Sequence, residues 1–281
     1  MSTARPIVDP LAFGWYFVDL LVHDGSRFTV AIHGANGFAL PRRASVVVWH
    51  YRDGAKPQMW VSSGGAAQLP ERSMFDGIRN DVAVLDRTPN GWQLEVKSPQ
   101  FELTLSIDQH LPLWRPPTLP FPLRYESGSA SFDWVILCPH GSAQGVFQAG
   151  ATRIALAGDV YVDANFGTID VAAELDWWKW STIDLAPGER VVASTTRWRR
   201  DPAVTAAIHI GSHGVQVMTP AQVRAQLGAD LTPLGLDAPT APDLPLASEL
   251  DLSVLGARLQ KYRRWSGRIG GKPAVLALLT A

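Results

Sequence analysis

Tyr161, Asp163 and Asn165 hold alternate positions in the run Gly158-Asp159-Val160-Tyr161-Val162-Asp163-Ala164-Asn165-Phe166-Gly167. Successive side chains of an extended strand point to opposite faces, so a phenol, a carboxylate and an amide would stand in one row. Asp, Asn and Gly are poor strand formers, and a strand that only packs would rarely choose this row. If the row faces a cavity walled by the nearby tryptophans, Asp163 is a carboxyl group in apolar surroundings. Desolvation penalises the charged form, raises the pKa and makes such a group a proton donor near neutral pH. A plainer reading is that the strand ends here, with Asp163 and Asn165 capping a turn that closes at Gly167.

Further downstream, Trp178 and Trp180 would share a strand face with Asp176, while Trp177 points the other way. They are read either as lining of the same pocket or as core packing, the default for an aromatic. His140 lies in Cys138-Pro139-His140-Gly141, which reads as a loop, and Cys138 as a small core hydrophobe. Arg197, Arg199 and Arg200 around Trp198 read as a wet strand face or as a clamp for a substrate carboxylate or ketone. His209 and His213 are four apart with no helix to make that spacing useful, so no metal site is expected. Gly64-Gly65 lacks the lysine of a phosphate loop and no dinucleotide fingerprint occurs, so no cofactor is expected.

Composition narrows the function classes. With 281 residues, one large or two medium domains are expected, and 46% hydrophobic content is ample for a core. The 25 basic and 26 acidic residues balance, without the basic concentration that nucleic-acid binding needs. The single cysteine excludes an internal disulfide and suits a reducing compartment. The start lacks the apolar core of a signal peptide, and no run approaches the roughly 18–20 apolar residues of a membrane span. The expectation is a soluble, cytoplasmic protein whose partner is a hydrophobic small molecule, with no nucleic acid and no integral membrane segment. Eleven tryptophans are many; because a buried indole N–H needs a partner, a large aromatic-lined cavity would use several of them.

The elements that must position these residues read as short strands. Residues 15–22 and 27–33 form a hairpin at Asp24-Gly25, and 82–85 and 92–96 another at Asn90-Gly91. Residues 101–107 alternate apolar and polar. Strands are also expected over 45–51, 58–61, 123–126, 131–137, 145–147, 152–156, 174–181, 190–198, 206–210, 255–268 and 274–280, with a loop over 62–70. A short helix, capped by Thr219 with Pro220 first and Gly228 after its end, spans 219–227, and 229–247 read as a surface loop. This is an all-β pattern of sandwich or barrel type with little helix. Residues 111–122 carry five prolines, which no central strand tolerates. They read as a boundary between an N-terminal domain, 1–118, and a C-terminal domain, 119–281, or as a rigid segment packed across both.

The spaced residues Gly158, Tyr161, Asp163, Asn165 and Gly167, followed by Trp178-Lys179-Trp180-Ser181, resemble the carotenoid 1,2-hydratase (hydroxyneurosporene synthase) family. Phe132-Asp133-Trp134 followed by Pro139, and Trp15-Tyr16-Phe17-Val18-Asp19 followed by Asp24-Gly25, are similar to further blocks of it. The resemblance implies two packed, lipocalin-like antiparallel β-barrel halves. It also implies that Asp163 protonates an isoprenoid double bond, with Tyr161 and Trp134 beside it. The family carries a His two residues before the tryptophan; this chain has Phe132 there. A phenyl ring makes the pocket drier, which suits cyclisation or isomerisation better than addition of water, since water quenches a cation. Relatives of the family include enzymes proposed to catalyse Diels–Alder-type cyclisations. His140 or Asp133 would have to place water if the reaction is hydration, and a carrier without chemistry is the third expectation. The expected site is therefore Asp163 and Tyr161 as catalytic groups, with Trp134, Phe132, Asn165, Trp178, Trp180, Asp176 and His140 around the substrate.

Overall fold

The computed structural model describes residues 5–6, 13–35, 43–52, 55–66, 68–69, 75–114, 131–199, 204–211, 214–219, 222, 225, 246–251, 261–269 and 272–280. The chain is all-β, as the alternation implies. The strands in chain order are β1 (Arg5–Pro6), β2 (Phe13–Val22), β3 (Arg27–Ala35), β4 (Arg43–Tyr51), β5 (Gln58–Ala66), β6 (Gln68–Leu69), β7 (Gly77–Arg79), β8 (Ala83–Thr88), β9 (Gly91–Lys97) and β10 (Glu102–Gln109). They continue as β11 (Phe132–Ala149), β12 (Thr152–Gly167), β13 (Leu175–Ala186), β14 (Glu189–Trp198), β15 (Val204–Gly211), β16 (Gly214–Met218), β17 (Leu246–Asp251), β18 (Lys261–Ile269) and β19 (Lys272–Thr280). One helical turn, α1 (Val171–Glu174), is capped by the Asp170 carboxylate, which accepts from Ala173 N.

Ten strands form an antiparallel sheet in the order β5-β4-β3-β2-β12-β11-β10-β9-β8-β7, and seven form a second in the order β16-β15-β14-β13-β19-β18-β17. The first sheet curls until its two ends meet. Gly65 N, on β5, donates to Asp81 between β7 and β8, and a Cβ at Gly64 would stand 3.2 Å from Asp81 Cβ, a close approach that suits glycine. Inside the curl, Phe147 of β11 touches Phe28 of β3 and Trp60 of β5, with ring centroids 4.9 and 4.6 Å apart. The interior is filled by this cluster, which includes Val18, Leu20, Val30, Leu94, Leu105 and Val162.

The second core lies between the sheets, and β2 divides its side chains between the two. Tyr16, Val18 and Leu20 point into the curl, while Trp15 and Phe17 point to the second sheet. β2 and β12, central in the first sheet, are thus covered on both faces, whereas β10 buries Leu103, Leu105 and Ile107 and exposes Glu102, Thr104 and Ser106.

Several expectations change. The two short strands foreseen over 131–147 are one 18-residue strand, with register shifts between Ile136 and Cys138 and between Cys138 and Gly141. The Cys138–Gly141 stretch is therefore an irregularity within a strand rather than a loop; a bulge absorbs the proline without ending the pairing. The loop foreseen from 62 is strand as far as Ala66. The sheets change over between Gly167 and Leu175, not at the proline-rich stretch: β11 and β12 lie beyond residue 119 yet complete the first sheet. Residues 115–130, with the strand foreseen over 123–126, lie outside the described residues. Of the expected helix, Thr219 Oγ1 accepts from Gln222 N and Gln222 Oε1 from Thr219 N at 2.8 Å, the reciprocal bonds of a capping box. Gln222 and Ala225 are helical, and residues 220–221, 223–224, 226–227 and 229–245 lie outside the described residues.

Candidate active site

Tyr161, Asp163 and Asn165 stand in one row on β12, all buried, facing the second sheet. The row is in the strand, paired on both sides: Asp163 lies opposite Phe17 of β2 and Ile136 of β11. It therefore faces the layer between the sheets and not the filled interior of the first curl.

The carboxyl is held by neutral donors. Its Oδ2 accepts from Tyr161 OH at 2.8 Å and from Trp134 Nε1 at 3.1 Å, and its Oδ1 from Asn165 Nδ2 at 3.2 Å. Trp180 Nε1, from the second sheet, donates to Tyr161 OH at 3.1 Å. The donors run in one direction, from the second sheet through the phenol to the acid. Burial pushes the Asp163 pKa up to about 7; the three hydrogen bonds pull it down, and the Asp19 carboxylate adds to the rise. Burial also holds the Tyr161 phenol well above its ordinary value, so it stays a donor. With Oδ2 occupied by two donors, the acid proton belongs on Oδ1.

Aromatic rings wall the site. Trp180 packs on Tyr161 and Phe17 at 4.8 and 5.9 Å, Trp15 on Trp178 at 6.0 Å, and Trp114 on Trp134 at 6.0 Å. Phe132 is buried against Trp198 at 5.1 Å and Phe13 at 5.6 Å, which makes that side dry. Trp178 is half-buried and its indole donates to Ser194 Oγ at 2.7 Å. The structure thus brings together Asp163, Tyr161, Trp134, Asn165, Phe132, Trp178 and Trp180.

It leaves other candidates outside. A register shift between Leu175 and Trp177 turns Asp176 outward, where it is exposed and 4.0 Å from Arg197. His140 sits at the edge of the seam, 3.7 Å from Asp159 and edge-on to His110 at 5.3 Å; burial, then Arg190, lowers its pKa. Asp133 lies on the opposite face of β11 from Trp134, because strand neighbours alternate. Arg199 is exposed and Arg197 half-buried while Trp198 points inward, and Arg200 and His213 lie outside the described residues. Cys138 is a buried thiol pushed up to about 12 by burial.

Three groups escape the sequence reading. Asp19 lies opposite Tyr161 on β2 and is gripped by Arg264 of β18, Nη1 to Oδ1 at 2.7 Å and Nη2 to Oδ2 at 2.5 Å. Arg27 and Thr29 add bonds to it at 3.2 and 3.0 Å. His33 of β3 lies in register with Trp15, itself opposite Asn165, so it shares the face of the acid; its Nδ1 is 3.0 Å from Ser45 Oγ. Burial pushes His33 down to about 4, leaving it neutral. The alternation of Trp15, Phe17 and Asp19 was a visible signal for Asp19, but nothing near Arg264 in the chain announces its partner. A small cleft of about 140 Å³ reaches this seam from outside, lined by Asp19, Arg27, Tyr161, Thr182 and Arg190 among others.

No family model and no curated protein matches the chain. Solved structures do. A protein provisionally called AttH, from Nitrosomonas europaea, superposes with a TM-score of 0.61 at 16% identity, over 99% of this chain and 97% of that one. CghA with Sch210972 matches with a TM-score of 0.59 at 10% identity, over 100% and 94% of the two chains. Kievitone hydratase from Nectria haematococca matches with 0.51 at 10% identity, over 100% and 95%. At these identities the likeness is one of fold, and over its whole length the chain has the lipocalin-like fold of the AttH and hydratase structures that the sequence resemblance implied.

Proposed function

We propose that this protein is a biosynthetic enzyme that works without a cofactor. It encloses a long apolar polyene, of polyketide or isoprenoid origin, between its sheets and uses Asp163 to promote ring closure or double-bond isomerisation. The observation that carries this reading is a buried carboxyl, raised to about 7, with neutral donors around it and aromatic walls beyond. The likeness in fold to CghA, which holds Sch210972, supports a small-molecule chamber.

The proton on Oδ1 passes to a double bond or to a conjugated carbonyl oxygen. The charge left on Asp163 is met by the Tyr161, Trp134 and Asn165 donors, already in place before the proton leaves. A cation formed on the substrate faces the π-systems of Trp134, Tyr161 and Trp180. An internal double bond then attacks the cationic carbon, and loss of a proton from the neighbouring carbon to Asp163 restores the acid, so the product is an isomer of the substrate. For a concerted closure the same acid works as a hydrogen-bond donor, and most of the acceleration comes from holding the reactive conformer. Ring closure is favoured over hydration because His140 and Asp133, the residues offered for placing water, stand away from Asp163.

Hydration is the second reading. The fold likeness to kievitone hydratase and the neutral imidazole of His33 on the acid's face favour it. Turnover in heavy-oxygen water separates the two: ring closure leaves the product unlabelled, and hydration labels it. Asp163→Asn is expected to cut turnover at least tenfold in a folded protein. A variant as fast as the parent ends the acid role, and a ligand returned unchanged by the parent marks a carrier.

A further inference from the structure

We propose that the molecule taken by this site is an oxygenated polyene bearing a hydroxyl or enol group, and that Asn165 and Thr196 hold that group beside Asp163. The proposal rests on the acid site above and names the class of substrate it accepts.

Asn165 is fully buried, and its Nδ2 donates to Asp163 Oδ1. With its proton turned toward the substrate, Asp163 Oδ1 keeps a lone pair for this bond, so the amide nitrogen faces the acid and the amide oxygen points away. The other end, Oδ1, is buried and has no hydrogen-bond partner among the described residues. Thr196 of β14 repeats the pattern from the second sheet: it is fully buried and its Oγ1 has no partner among the described residues. The two residues flank one contact. Asn165 is in register with Trp15, Thr196 is in register with Trp178, and the Trp15 and Trp178 rings meet between the sheets at 6.0 Å.

Buried polar atoms are nearly always paired, so two unpaired ones on facing walls of one layer call for an explanation. A hydrocarbon leaves both unpaired. One hydroxyl serves both, donating its hydrogen to Asn165 Oδ1 and accepting from Thr196 Oγ1. An enol does the same and places its conjugated double bond next to the Asp163 proton. A carboxylate is disfavoured, since it would bring negative charge against an acceptor-only oxygen beside Asp163. Sites that hydrogen-bond a substrate hydroxyl reject analogues lacking it more sharply than apolar pockets reject a changed methylene.

The probes are all-trans-retinol and its methyl ether, which share a polyene and differ in the O–H donor, with binding read from quenching of tryptophan fluorescence. The parent protein is expected to bind the alcohol at least tenfold more tightly than the ether. Asn165→Leu and Thr196→Val are each expected to bring that ratio toward one. Thr196→Val exchanges a hydroxyl for a methyl group of the same shape, so its melting temperature should equal or exceed the parent's. Equal binding of the two probes, binding of neither, or a Thr196→Val melting temperature several degrees lower overturns the proposal. Turnover is not read in this experiment, so the hydroxyl preference can fail with the acid role intact, and the acid role can fail with the preference intact.

Discussion

Asp19 and Asp163 are buried on the same face of adjacent strands, yet their pKa values move in opposite directions. Burial pushes both up. At Asp19 the Arg264 and Arg27 guanidiniums, with hydrogen bonds from Arg264 and Thr29, outweigh it and hold the group below its ordinary value. At Asp163 the donors are a phenol, an indole and an amide, none charged, and burial wins. What separates a structural carboxylate from an acid is therefore the charge of its partners, not its depth. The arrangement also divides labour: Asp19 ties the two sheets together through Arg264, and its negative charge in turn favours the protonated form of Asp163.

The comparison can be broken most severely at Arg264. Arg264→Met leaves Asp19 buried without its main counter-charge and is expected to cost about 3–5 kcal/mol of stability in denaturant titrations. Adding Asp19→Asn should recover much of that loss; if the single variant is as stable as the parent, the clamp role fails. Next comes the pH dependence. Well below its unfolded value of 3.8, Asp163 is protonated in both folded and unfolded chains. Above about 7 it is ionised in both, and the folded chain alone bears the cost of burying the charge. Stability should fall as pH rises from 4 through 7, by up to about 4 kcal/mol for a displacement from 3.8 to about 7. Asp163→Asn should flatten that slope. Asp19 runs the other way: its contribution is present above its unfolded value and is lost as pH falls through its lower folded value.

Tyr161→Phe should act less strongly. It removes one donor from Asp163 and leaves Trp180 Nε1 without its acceptor, a cost of about 1–3 kcal/mol. It should also move the midpoint of the pH–stability curve upward, because a hydrogen bond that lowered the Asp163 pKa is gone; an unmoved midpoint would break the link between phenol and acid. The smallest effect belongs to Arg79 and Asp86, 70% and 46% exposed. Arg79→Ala should change stability by less than about 1 kcal/mol, since solvent screens the pair and side-chain entropy opposes it.

Much of the site was legible because it is local. The period-2 spacing of Tyr161, Asp163 and Asn165 placed three side chains on one face, and three of the donors to the acid lie within the expected group of residues. Asp176 was misplaced because spacing by two assumes an unbroken strand, and the register shift at Leu175 and Trp177 reverses the face. Sheet membership is likewise set by distant pairing. Prolines mark where a strand cannot continue, but they do not say which sheet the next strand joins, and β12 pairs with β2 across more than a hundred residues.

By itself the sequence determined the all-β class, the hairpins at Gly25 and Gly91 and the row that presents Asp163 to one face, because each follows from neighbouring residues and backbone geometry. The tertiary structure alone decided that this face meets a second sheet, that Trp180 reaches Tyr161, and that Arg264 neutralises Asp19 while Asp163 is held by neutral donors. Those outcomes depend on which groups share a desolvated layer, and a carboxylate's protonation state is set by the charges beside it in space, wherever they stand in the chain.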